Sequence, residues 1–333
     1  MQFRVGIVGG SGFIGTALAE YLSKESRVRI IDIKAPPKAL DNVEFNSCDI
    51  RDYNCLKHAL EGVDVVIHLA IIQIPEINEK KRLAYEVNIL GTHNVCRAVC
   101  ENERVEGMIL ASSWHVMGER LEGVINEKYG YHPDKVDDRA KLYVLSKIAQ
   151  EAIVKFYSEV CDKVYGIIRL GTVLGERMPK KTAANIFIER GLRGESITPY
   201  KHSMYRPMLY VDIEDVCKAF KNYIYKILKT NHNKEKSSLA QIVNVFYPEP
   251  ITILELAEIV RKTIIKHSRG RIQPSIEIVD TGHKLQFTED DKKKFRVDIS
   301  KARKFLGLTK MKSPEESINQ IVKIRIAKGF NTG

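Results

Sequence analysis

The glycine run GGSGFIG, residues 9–15, constrains the fold of this chain more than any other feature. It follows an apolar run, Phe3–Val8, and leads into helical apolar spacing over Thr16–Leu22 and a second apolar run, Val28–Ile33. This order predicts a strand, a tight turn, a helix that begins near Phe13, and a second strand. Backbone N–H groups at such a turn can approach a pyrophosphate at the positive end of the helix. The run therefore predicts a dinucleotide site formed by Gly9, Gly12, Phe13, Ile14 and Gly15.

Asp32 ends the second apolar run, about 20 residues beyond Gly12. A carboxylate at this position can accept hydrogen bonds from the hydroxyls of the adenosine ribose, whereas it would repel a 2′-phosphate. Lys34 weakens that discrimination somewhat. The predicted cofactor is therefore NAD rather than NADP.

Apolar and helical segments continue to alternate as far as Gly175. They comprise the apolar runs Val63–Ala70, Gly107–Ala111 and Val164–Leu170, and helical stretches at Tyr85–Glu101 and Leu142–Glu159. Apolar strands separated by helices predict a parallel sheet that is covered on both faces. We therefore predict an α/β fold, a Rossmann-type doubly wound parallel sheet, with a smaller α+β C-terminal substrate domain. The predicted domains are 1–175 and 176–333, with segments near 208–229 and 242–247 returning to the first.

Composition excludes several other classes of protein. The chain has 333 residues, 44% hydrophobic and 29% charged, with a net charge of +11. The lysine runs Lys234–Lys236 and Lys292–Lys294 are not interleaved with aromatic residues, so we expect no nucleic acid partner. No stretch approaches a membrane span, so we also expect no membrane partner. The six cysteines lack the paired spacing of a zinc site and follow no signal segment. We therefore expect reduced thiols, no metal and a cytoplasmic location.

A tyrosine, a lysine and a serine carry the predicted chemistry. Tyr143 and Lys147 are four residues apart on a predicted helix, hence one turn apart on the same face. A neighbouring ammonium favours the phenolate, which could then remove the proton of an alcohol while hydride leaves the same carbon. Ser113 follows a predicted strand, at the sheet edge where ligands of such folds bind, and could bond to the substrate hydroxyl. The predicted catalytic residues are Ser113, Tyr143 and Lys147.

Together these motifs resemble the extended short-chain dehydrogenases/reductases, specifically the NAD-dependent epimerase/dehydratase family that acts on nucleotide sugars, such as UDP-glucose 4-epimerases. The resemblance covers almost the whole chain. It is carried by GGSGFIG (9–15), IIDIK (30–34), CDIRD (48–52), VIHLA (66–70), VNILGTHNV (87–95), SSWHVMG (112–118), YVLSK (143–147), IIRLGTVLG (167–175), RPMLYVDIEDV (206–216) and VDISKARKFLGL (297–308).

The resemblance implies further roles, residue by residue. Asp49 and Ile50 flank the adenine, Leu69 and Ala70 the central part of the cofactor, and Asn88 holds the cofactor end of the site. Tyr143 and Lys147 also contact the cofactor, Lys147 through the nicotinamide ribose. Arg206 grips the diphosphate of the substrate, a role that suits a planar guanidinium, and Asn185 supplies an amide to the nucleotide sugar. Ser113 contacts the same substrate. The family further implies a homodimer formed through helices near Tyr85–Glu101 and Leu142–Glu159.

Departures from the family pattern bear on the reaction. Met117 replaces the usual tyrosine of the serine loop, and Trp114 and His115 stand where sugar dehydratases carry an Asp-Glu pair. Without a carboxylic acid to protonate a departing hydroxyl, dehydration is disfavoured. We therefore predict an NAD-dependent nucleotide-sugar epimerase acting at C4 of a UDP-sugar. The alternatives are a sugar 1-dehydrogenase of the aldose or uronate type that releases NADH, and a non-catalytic, nucleotide-responsive binding protein.

Overall fold

The computed structural model describes residues 3–232 and 240–329. Its central element is a seven-stranded parallel sheet. Numbering all strands in chain order, the sheet has the order β11-β7-β5-β4-β1-β2-β3. These strands are β1 Arg4–Val8, β2 Arg27–Asp32, β3 Val43–Ser47, β4 Val65–His68, β5 Gly107–Ser113, β7 Val164–Leu170 and β11 Gln241–Val245. The remaining strands form three short pairs, β6 Gly123–Ile125 with β13 Phe295–Val297, β8 Thr172–Leu174 with β10 Tyr210–Asp212, and β9 Pro207–Met208 with β12 Ile251–Thr252.

Helices cover both faces of this sheet and build most of the C-terminal part. They are α1 Phe13–Leu22, α2 Tyr53–Ala59, α3 Glu76–Glu79, α4 Lys81–Tyr85, α5 Thr92–Glu101, α6 Asp138–Val160, α7 Ala183–Leu192, α8 Ile213–His232, α9 Ile253–His267, α10 Ser300–Leu306 and α11 Pro314–Ala327. Because both faces are covered, the central strands are predominantly apolar. Adjacent strand residues point into two separate cores, with Ile7, Ile30, Ile67 and Ile109 in one and Val8, Ile31, Val66 and Leu110 in the other. This confirms the predicted doubly wound α/β fold.

The topology brings one end of each central strand to a common edge. The chain passes from β1 outward to β2 and β3, then returns to the other side of β1 as β4. The order therefore reverses between β1 and β4, and ligands of such sheets bind in the crevice at this point. In the sheet, Val8 at the end of β1 is paired with His68 of β4. Ser113, at the end of β5, is paired with Leu170 of β7. The residues after β1, β2, β4 and β5 consequently face one site.

The C-terminal part is not independent of the sheet. Strand β11 pairs with β7, and α8 packs against α1 and β7. Helix α9 packs against both α7 and α11 and begins with a capping box between Thr252 and Glu255. The boundary at residue 175 and the return of the segments near 208–229 and 242–247 to the first domain stay predictions.

Two expectations differ from the structure. The predicted helix over Tyr85–Glu101 is interrupted by a π-helical turn at Glu86–Gly91, which turns Asn88 into the interior, where it is fully buried. The expectation of six reduced thiols is wrong for four of them, since Cys48–Cys55 and Cys100–Cys161 are disulfides and only Cys96 and Cys217 are free. Helix packing brings Cys100 and Cys161 together across 61 residues, which spacing alone could not indicate.

The run Lys234–Lys236 lies outside the described residues, whereas Lys292, Lys293 and Lys294 pair with Glu255, Asp290 and Asp291. The three lysines of this run are therefore each paired with a carboxylate, and the absence of a nucleic acid partner stays a prediction. Within 3–232 and 240–329, no helix is long and apolar enough to cross a membrane.

Candidate active site

The glycine turn after β1 is packed tightly on one side and open on the other. Gly9 has φ +78°, and a Cβ there would lie 2.5 Å from the backbone nitrogen of Ala70. A Cβ on Gly15 would lie 2.5 Å from the Cα of Gly10. At Gly12, by contrast, the nearest atom to a Cβ would be the Gly9 oxygen at 3.7 Å. Gly9 and Gly15 therefore permit close packing, and Gly12 keeps the space above the turn clear.

The start of α1 faces this open space. The helix begins at Phe13, as predicted, with Gly12 as its N-cap; no side chain caps it and its first turn contains no acidic residue. The first N–H groups of a helix have no partner within the helix and carry its positive end. The turn therefore fits the pyrophosphate of a dinucleotide, with Phe13 and Ile14 at the first helical positions. Their contact with the cofactor stays a prediction.

Asp32 ends β2 directly beside this turn. Its Oδ2 accepts a hydrogen bond from the backbone N–H of Ser11 at 3.0 Å, and its Oδ1 accepts from that of Lys34 at 3.2 Å. The Ser11 hydroxyl in turn donates to the carbonyl of Lys34 at 2.6 Å. The carboxylate is thus fixed next to the glycine turn, where a ribose bound along it would lie.

The two residues expected to flank the adenine are held by groups that sequence reasoning missed. Arg51 hydrogen-bonds the Asp49 carboxylate and lowers the pKa of that carboxyl. The carbonyl of Ile50 accepts from the Asn94 side chain at 3.0 Å, and the Ile50 side chain packs where a Cβ on Gly91 would be, 2.5 Å away. Asn94 and Gly91 both lie in the VNILGTHNV segment, but no spacing rule assigns them this task.

The side of the site that follows β4 contains Leu69, Ala70 and Asn88. The backbone N–H of Leu69 donates to the carbonyl of Val8 at 2.8 Å and so connects this side to the end of β1. The Asn88 amide accepts from the N–H of Ile72 at 2.7 Å and donates to the Ile72 carbonyl and to Ser146 Oγ, both at 3.1 Å. Asn88 therefore joins the loop after β4 to helix α6. Its role toward the cofactor stays a prediction.

Ser113, Tyr143 and Lys147 meet at the carboxyl end of β5. Ser113 is the last residue of β5, and Tyr143 and Lys147 lie one turn apart on α6. Burial raises the pKa of Tyr143, and the Ser113 hydroxyl opposes this rise. The Lys147 ammonium donates to the carbonyl of Ala111 at 2.6 Å. Burial lowers the pKa of Lys147 to about 7, against a smaller opposite effect of Glu151.

This arrangement suits proton transfer from an alcohol. The tyrosine and serine hydroxyls are within hydrogen-bonding reach of each other, so both can contact one substrate oxygen. A protonated Lys147 on the same helix face stabilises the phenolate. The catalytic roles stay predictions, but the structure brings the three residues together as the sequence indicates.

A buried ion pair that the sequence analysis missed fixes α6 against the sheet. Arg169 of β7 donates two parallel hydrogen bonds, each 2.9 Å, to the Glu151 carboxylate. Ser112 donates to the same carboxylate at 2.5 Å and Tyr131 at 2.9 Å. Bidentate pairing sets the position and orientation of both partners. The sequence signal for this pair was the arginine inside the apolar segment IIRL (167–170), because a charge buried in a strand needs a partner.

The substrate side of the site contains an ionic cluster around Arg206. Arg206 Nη1 lies 3.1 Å from Asp137 Oδ2 and 3.4 Å from Glu119 Oε1. Arg139 lies 3.5 Å from each of the same two carboxylates. Glu119 is only 1% exposed, and the Nε of Arg206 is buried without a hydrogen-bond partner. The guanidinium expected to grip a diphosphate is therefore already paired with two carboxylates.

Asn185 lies in α7, near the C-terminal helix, rather than in an open cavity. Its Nδ2 donates to Glu189 at 2.7 Å, and its Oδ1 accepts from Arg325 at 2.6 Å. The residue is 1% exposed. A nucleotide sugar would have to displace these partners to reach the amide, and the assignment stays a prediction.

The loop after β5 turns its distinctive residues inward. Trp114 and Met117 are fully buried, and the indole N–H of Trp114 lies 3.3 Å from Thr172 Oγ1. Both therefore fill the core of the loop. The imidazole of His115 packs against Trp114, with ring centroids 4.2 Å apart, and reaches Ser113. Over residues 3–232 and 240–329, no group of three or more histidine, cysteine or acidic side chains could hold a metal ion.

Comparison with known proteins agrees with this geometry. A model of the NAD dependent epimerase/dehydratase family matches residues 5–237. UDP-glucuronic acid decarboxylase 1 of Danio rerio is 25% identical over 331 residues, 96% of this chain and 72% of that protein. Uronate dehydrogenase of Pseudomonas syringae is 28% identical over 179 residues, 53% of this chain and 60% of that enzyme. Three other curated relatives are matched over only 39% to 52% of their lengths.

One solved structure shows the same fold over its full length. The crystal structure of UDP-glucose 4-epimerase with UDP-glucose from Thermotoga maritima is 21% identical and superposes with a TM-score of 0.78. The superposition covers 98% of this chain and 100% of that chain. The family match confirms the resemblance identified from the motifs, and with it the prediction of NAD as cofactor.

Proposed function

Since the chain belongs to the NAD dependent epimerase/dehydratase family, we propose that it is an NAD-dependent nucleotide-sugar epimerase that inverts C4 of a UDP-sugar. The reaction would proceed by transient oxidation to a keto-sugar. One observation carries this proposal: Ser113, Tyr143 and Lys147 converge at the carboxyl end of β5, beside a glycine turn that fits a dinucleotide.

The protein residues would act on one hydroxyl of the sugar. Tyr143, as phenolate, takes the hydroxyl proton, and Lys147 stabilises that phenolate through its positive charge. Ser113 bonds to the same oxygen and holds it near Tyr143. The glycine turn and Asp32 would hold NAD, whose chemistry would be reversible acceptance of a hydride from the sugar carbon. If the ketone turns over before the hydride returns, the configuration is inverted and the cofactor is unchanged at the end of the cycle.

Two observations support a nucleotide sugar and an outcome other than dehydration. The zebrafish relative is named for UDP-glucuronic acid, and its match spans 96% of this chain. Trp114 and His115 directly follow Ser113, and burial lowers the pKa of His115 to about 4, so the imidazole is neutral at pH 7. Neither Trp114 nor a neutral His115 therefore replaces the Asp-Glu pair as a general acid for the loss of a hydroxyl.

A screen that resolves products would test the proposal. The full chain with NAD is incubated with UDP-, GDP- and dTDP-sugars and with free aldoses and uronates, and the products are separated by chromatography. We expect isomerisation of a UDP-sugar without accumulation of NADH. Conversion to an oxidised sugar with one NADH per turnover would contradict the epimerase.

A sugar dehydrogenase is the second candidate, and the cluster around Arg206 favours it. A guanidinium already paired with Asp137 and Glu119 is less available to a diphosphate than a free one. A free sugar acid would not require that grip, and the Pseudomonas syringae relative is named uronate dehydrogenase. Stoichiometric NADH formation from a free uronate or aldose is the outcome that would select this candidate.

We also propose a homodimer formed through α5 and α6. An exposed apolar stripe follows α6 at helical spacing and includes Leu142, Leu145, Phe156 and Val160, while Leu90 is exposed in the turn before α5. Light scattering should give twice the mass of one chain, and Phe156→Glu should halve it. The matched control is Phe45→Glu, at an exposed phenylalanine on edge strand β3. A monomeric wild-type chain would contradict the proposal.

The cytoplasmic location stays a prediction.

A further inference from the structure

The disulfide Cys48–Cys55 closes the loop that is expected to hold the adenine. The two cysteines are seven residues apart in sequence, and their Cα atoms lie 5.8 Å apart. Asp49 and Ile50, the two residues expected to flank the adenine, stand between them. Cys48 directly follows β3, and Cys55 lies in the first turn of α2. A covalent bond therefore joins the two ends of a loop on the cofactor side of the site.

The Cys48 end of this loop lies directly beside Asp32. The backbone N–H of Cys48 donates to the carbonyl of Asp32 at 3.0 Å, and Cys48 is only 3% exposed. The carboxylate of the same Asp32 is expected to bind the adenosine ribose. The position of the loop after Cys48 therefore bears on both the ribose and the adenine.

Hydrogen bonds from α5 and from the turn before it hold the same loop without involving either sulfur. Asn94 donates to the carbonyls of Ile50 at 3.0 Å and of Arg51 at 3.2 Å. The Arg51 guanidinium pairs with Asp49 at 2.6 Å and with Glu86 at 3.0 Å. These bonds do not require the bridge. We therefore expect the loop to stay folded when the bridge is broken, but with more freedom on the side that faces α2.

The two sulfurs differ in access to reagents. Cys48 is buried, whereas Cys55 is half-buried. One thiolate of an external dithiol can attack the Cys55 sulfur, so that the disulfide bond breaks and Cys48 leaves as a thiolate, which takes up a proton. The second thiol of the reagent then attacks the mixed disulfide. Cys55 becomes a thiol, and the reagent ends as a disulfide; the oxidised reagent can restore the bridge by the reverse exchange.

A bridge at this place suits regulation better than permanent stabilisation. The location predicted for this chain is cytoplasmic, and disulfides in that compartment are usually transient because its thiol pool reduces them. The loop is short, so the bridge stabilises the fold less than one across a long loop would. Fixing a binding loop in its bound form, by contrast, lowers the ordering cost that a ligand has to offset.

We propose that Cys48 and Cys55 form a reversible redox site that controls the affinity for NAD, with the bridged form binding more tightly. In the bridged form Asp49 and Ile50 are held beside Asp32, whereas in the dithiol form the cofactor has to order them. The inference rests on the adenine contacts expected of these two residues. It goes beyond the proposed function, since it requires no particular sugar or reaction.

The first measurement establishes the state of the two cysteines. Full-length protein is equilibrated with oxidised or reduced dithiothreitol, alkylated in denaturant, digested with trypsin and analysed by mass spectrometry. Trypsin cleaves after Arg51, between the two cysteines, so the bridge joins two separate peptides. We expect the linked pair after oxidation, two alkylated peptides after reduction, and the linked pair again after reoxidation. The same result in both states, linked or alkylated, would overturn the proposal.

The second measurement compares the affinity of the two states. Dissociation constants of NAD and of ADP are determined by isothermal titration calorimetry with the oxidised and the reduced wild-type chain. We expect both constants to rise about tenfold on reduction, because the bridge acts on the adenosine end that the two ligands share. An unchanged constant for NAD, a rise for NAD without one for ADP, or no binding in either state would overturn the proposal. No sugar is present, so these outcomes are independent of the reaction that the protein catalyses.

The second disulfide, Cys100–Cys161, provides the matched control. It joins the last turn of α5 to the residue that follows α6, about 20 Å along the helix axis from Lys147. Cys55→Ser should bind NAD about tenfold more weakly than the oxidised wild type and no longer respond to the reductant. Cys161→Ser should bind NAD as the wild type does and keep the response.

Equal effects of the two variants would show that the loss of either bridge loosens the whole fold, and would overturn the proposal. Circular dichroism and Tm report whether each variant is folded. If Cys55→Ser does not fold, the oxidised and reduced states of the wild type and of Cys161→Ser decide. A tenfold difference between the two states in both chains supports the redox site, and its absence from either chain contradicts it.

Discussion

The cofactor side and the substrate side of this site are built in different ways. On the cofactor side, a tight turn of backbone forms the binding surface: Gly9 and Gly15 pack where no side chain fits, and α1 starts without a capping side chain. On the substrate side, charged side chains from distant segments meet. Glu119 and Asp137 reach Arg206 across 87 and 69 residues of chain.

This difference explains why the cofactor side could be predicted from the sequence more readily than the substrate side. A backbone turn is set by residues next to one another, so its sequence predicts its shape. A cluster of charges is set by the packing of several elements, and removing one member leaves another charge buried without a partner. We therefore expect the cofactor side to be most sensitive to substitutions that alter the backbone conformation, and the substrate side to substitutions that alter charge.

The largest effect should come from the border between the two sides. Tyr143→Phe removes the phenol but keeps the ring, so kcat should fall about 10³-fold while NAD affinity and the free energy of unfolding change little. Steady-state kinetics and NAD titration measure this. An unchanged kcat in the variant would contradict the proposed role of Tyr143.

Gly9→Ala should break the cofactor side. The new methyl group would lie 2.5 Å from the backbone of Ala70 at a φ of +78°, which should cost about 3 kcal/mol of unfolding free energy. Gly12→Ala is the matched control, because the nearest atom to its methyl group would be the Gly9 oxygen, at an ordinary contact distance of 3.7 Å. We expect that control to fold as the wild type does but to bind NAD at least tenfold more weakly. Normal NAD binding by Gly12→Ala would place the pyrophosphate elsewhere.

A pH series examines the substrate side through its buried histidine. Burial lowers the pKa of His115 from 6.5 to about 4. As pH falls from 6.5 toward 4 the unfolded chain binds this proton first, so the free energy of unfolding should decrease, by up to about 3 kcal/mol, and this loss should end below pH 4. Urea unfolding at several pH values compares wild type with His115→Asn, which should lose less. Parallel curves would show that the ring titrates equally in both states.

The smallest effect should come from loosening Arg206. Asp137→Asn keeps the size of the side chain but removes one of the two charges that hold the guanidinium. If Arg206 binds a diphosphate, its release should lower KM for the nucleotide sugar about threefold, corresponding to about 0.6 kcal/mol, with kcat unchanged. Asp134→Asn, at an exposed aspartate three residues earlier, is the control. A higher KM would mean that Asp137 supports the substrate site.

Several elements could be predicted from the sequence because their signals are local. The helix starting at Phe13, the carboxylate ending β2 and the Tyr143–Lys147 spacing on α6 all lie where the sequence indicates. The π-helical turn at Glu86–Gly91 could not be predicted, because no local signal in the sequence marks it; at Gly91 it packs against Ile50 from a distant segment. The buried Glu151–Arg169 pair was equally hidden, since the sequence shows two charges but not that they meet.

The sequence by itself determined the doubly wound sheet, the glycine turn, the family and the identity of the three residues expected to act on the substrate hydroxyl. Only the tertiary structure decided that Arg206 is paired with carboxylates, that Cys100 meets Cys161, and that His115 lies between Ser113 and Glu119. The physical reason is distance along the chain. Steric limits on neighbouring residues fix turns and helices locally, whereas side chains from separate segments meet only where the packing of whole elements places them.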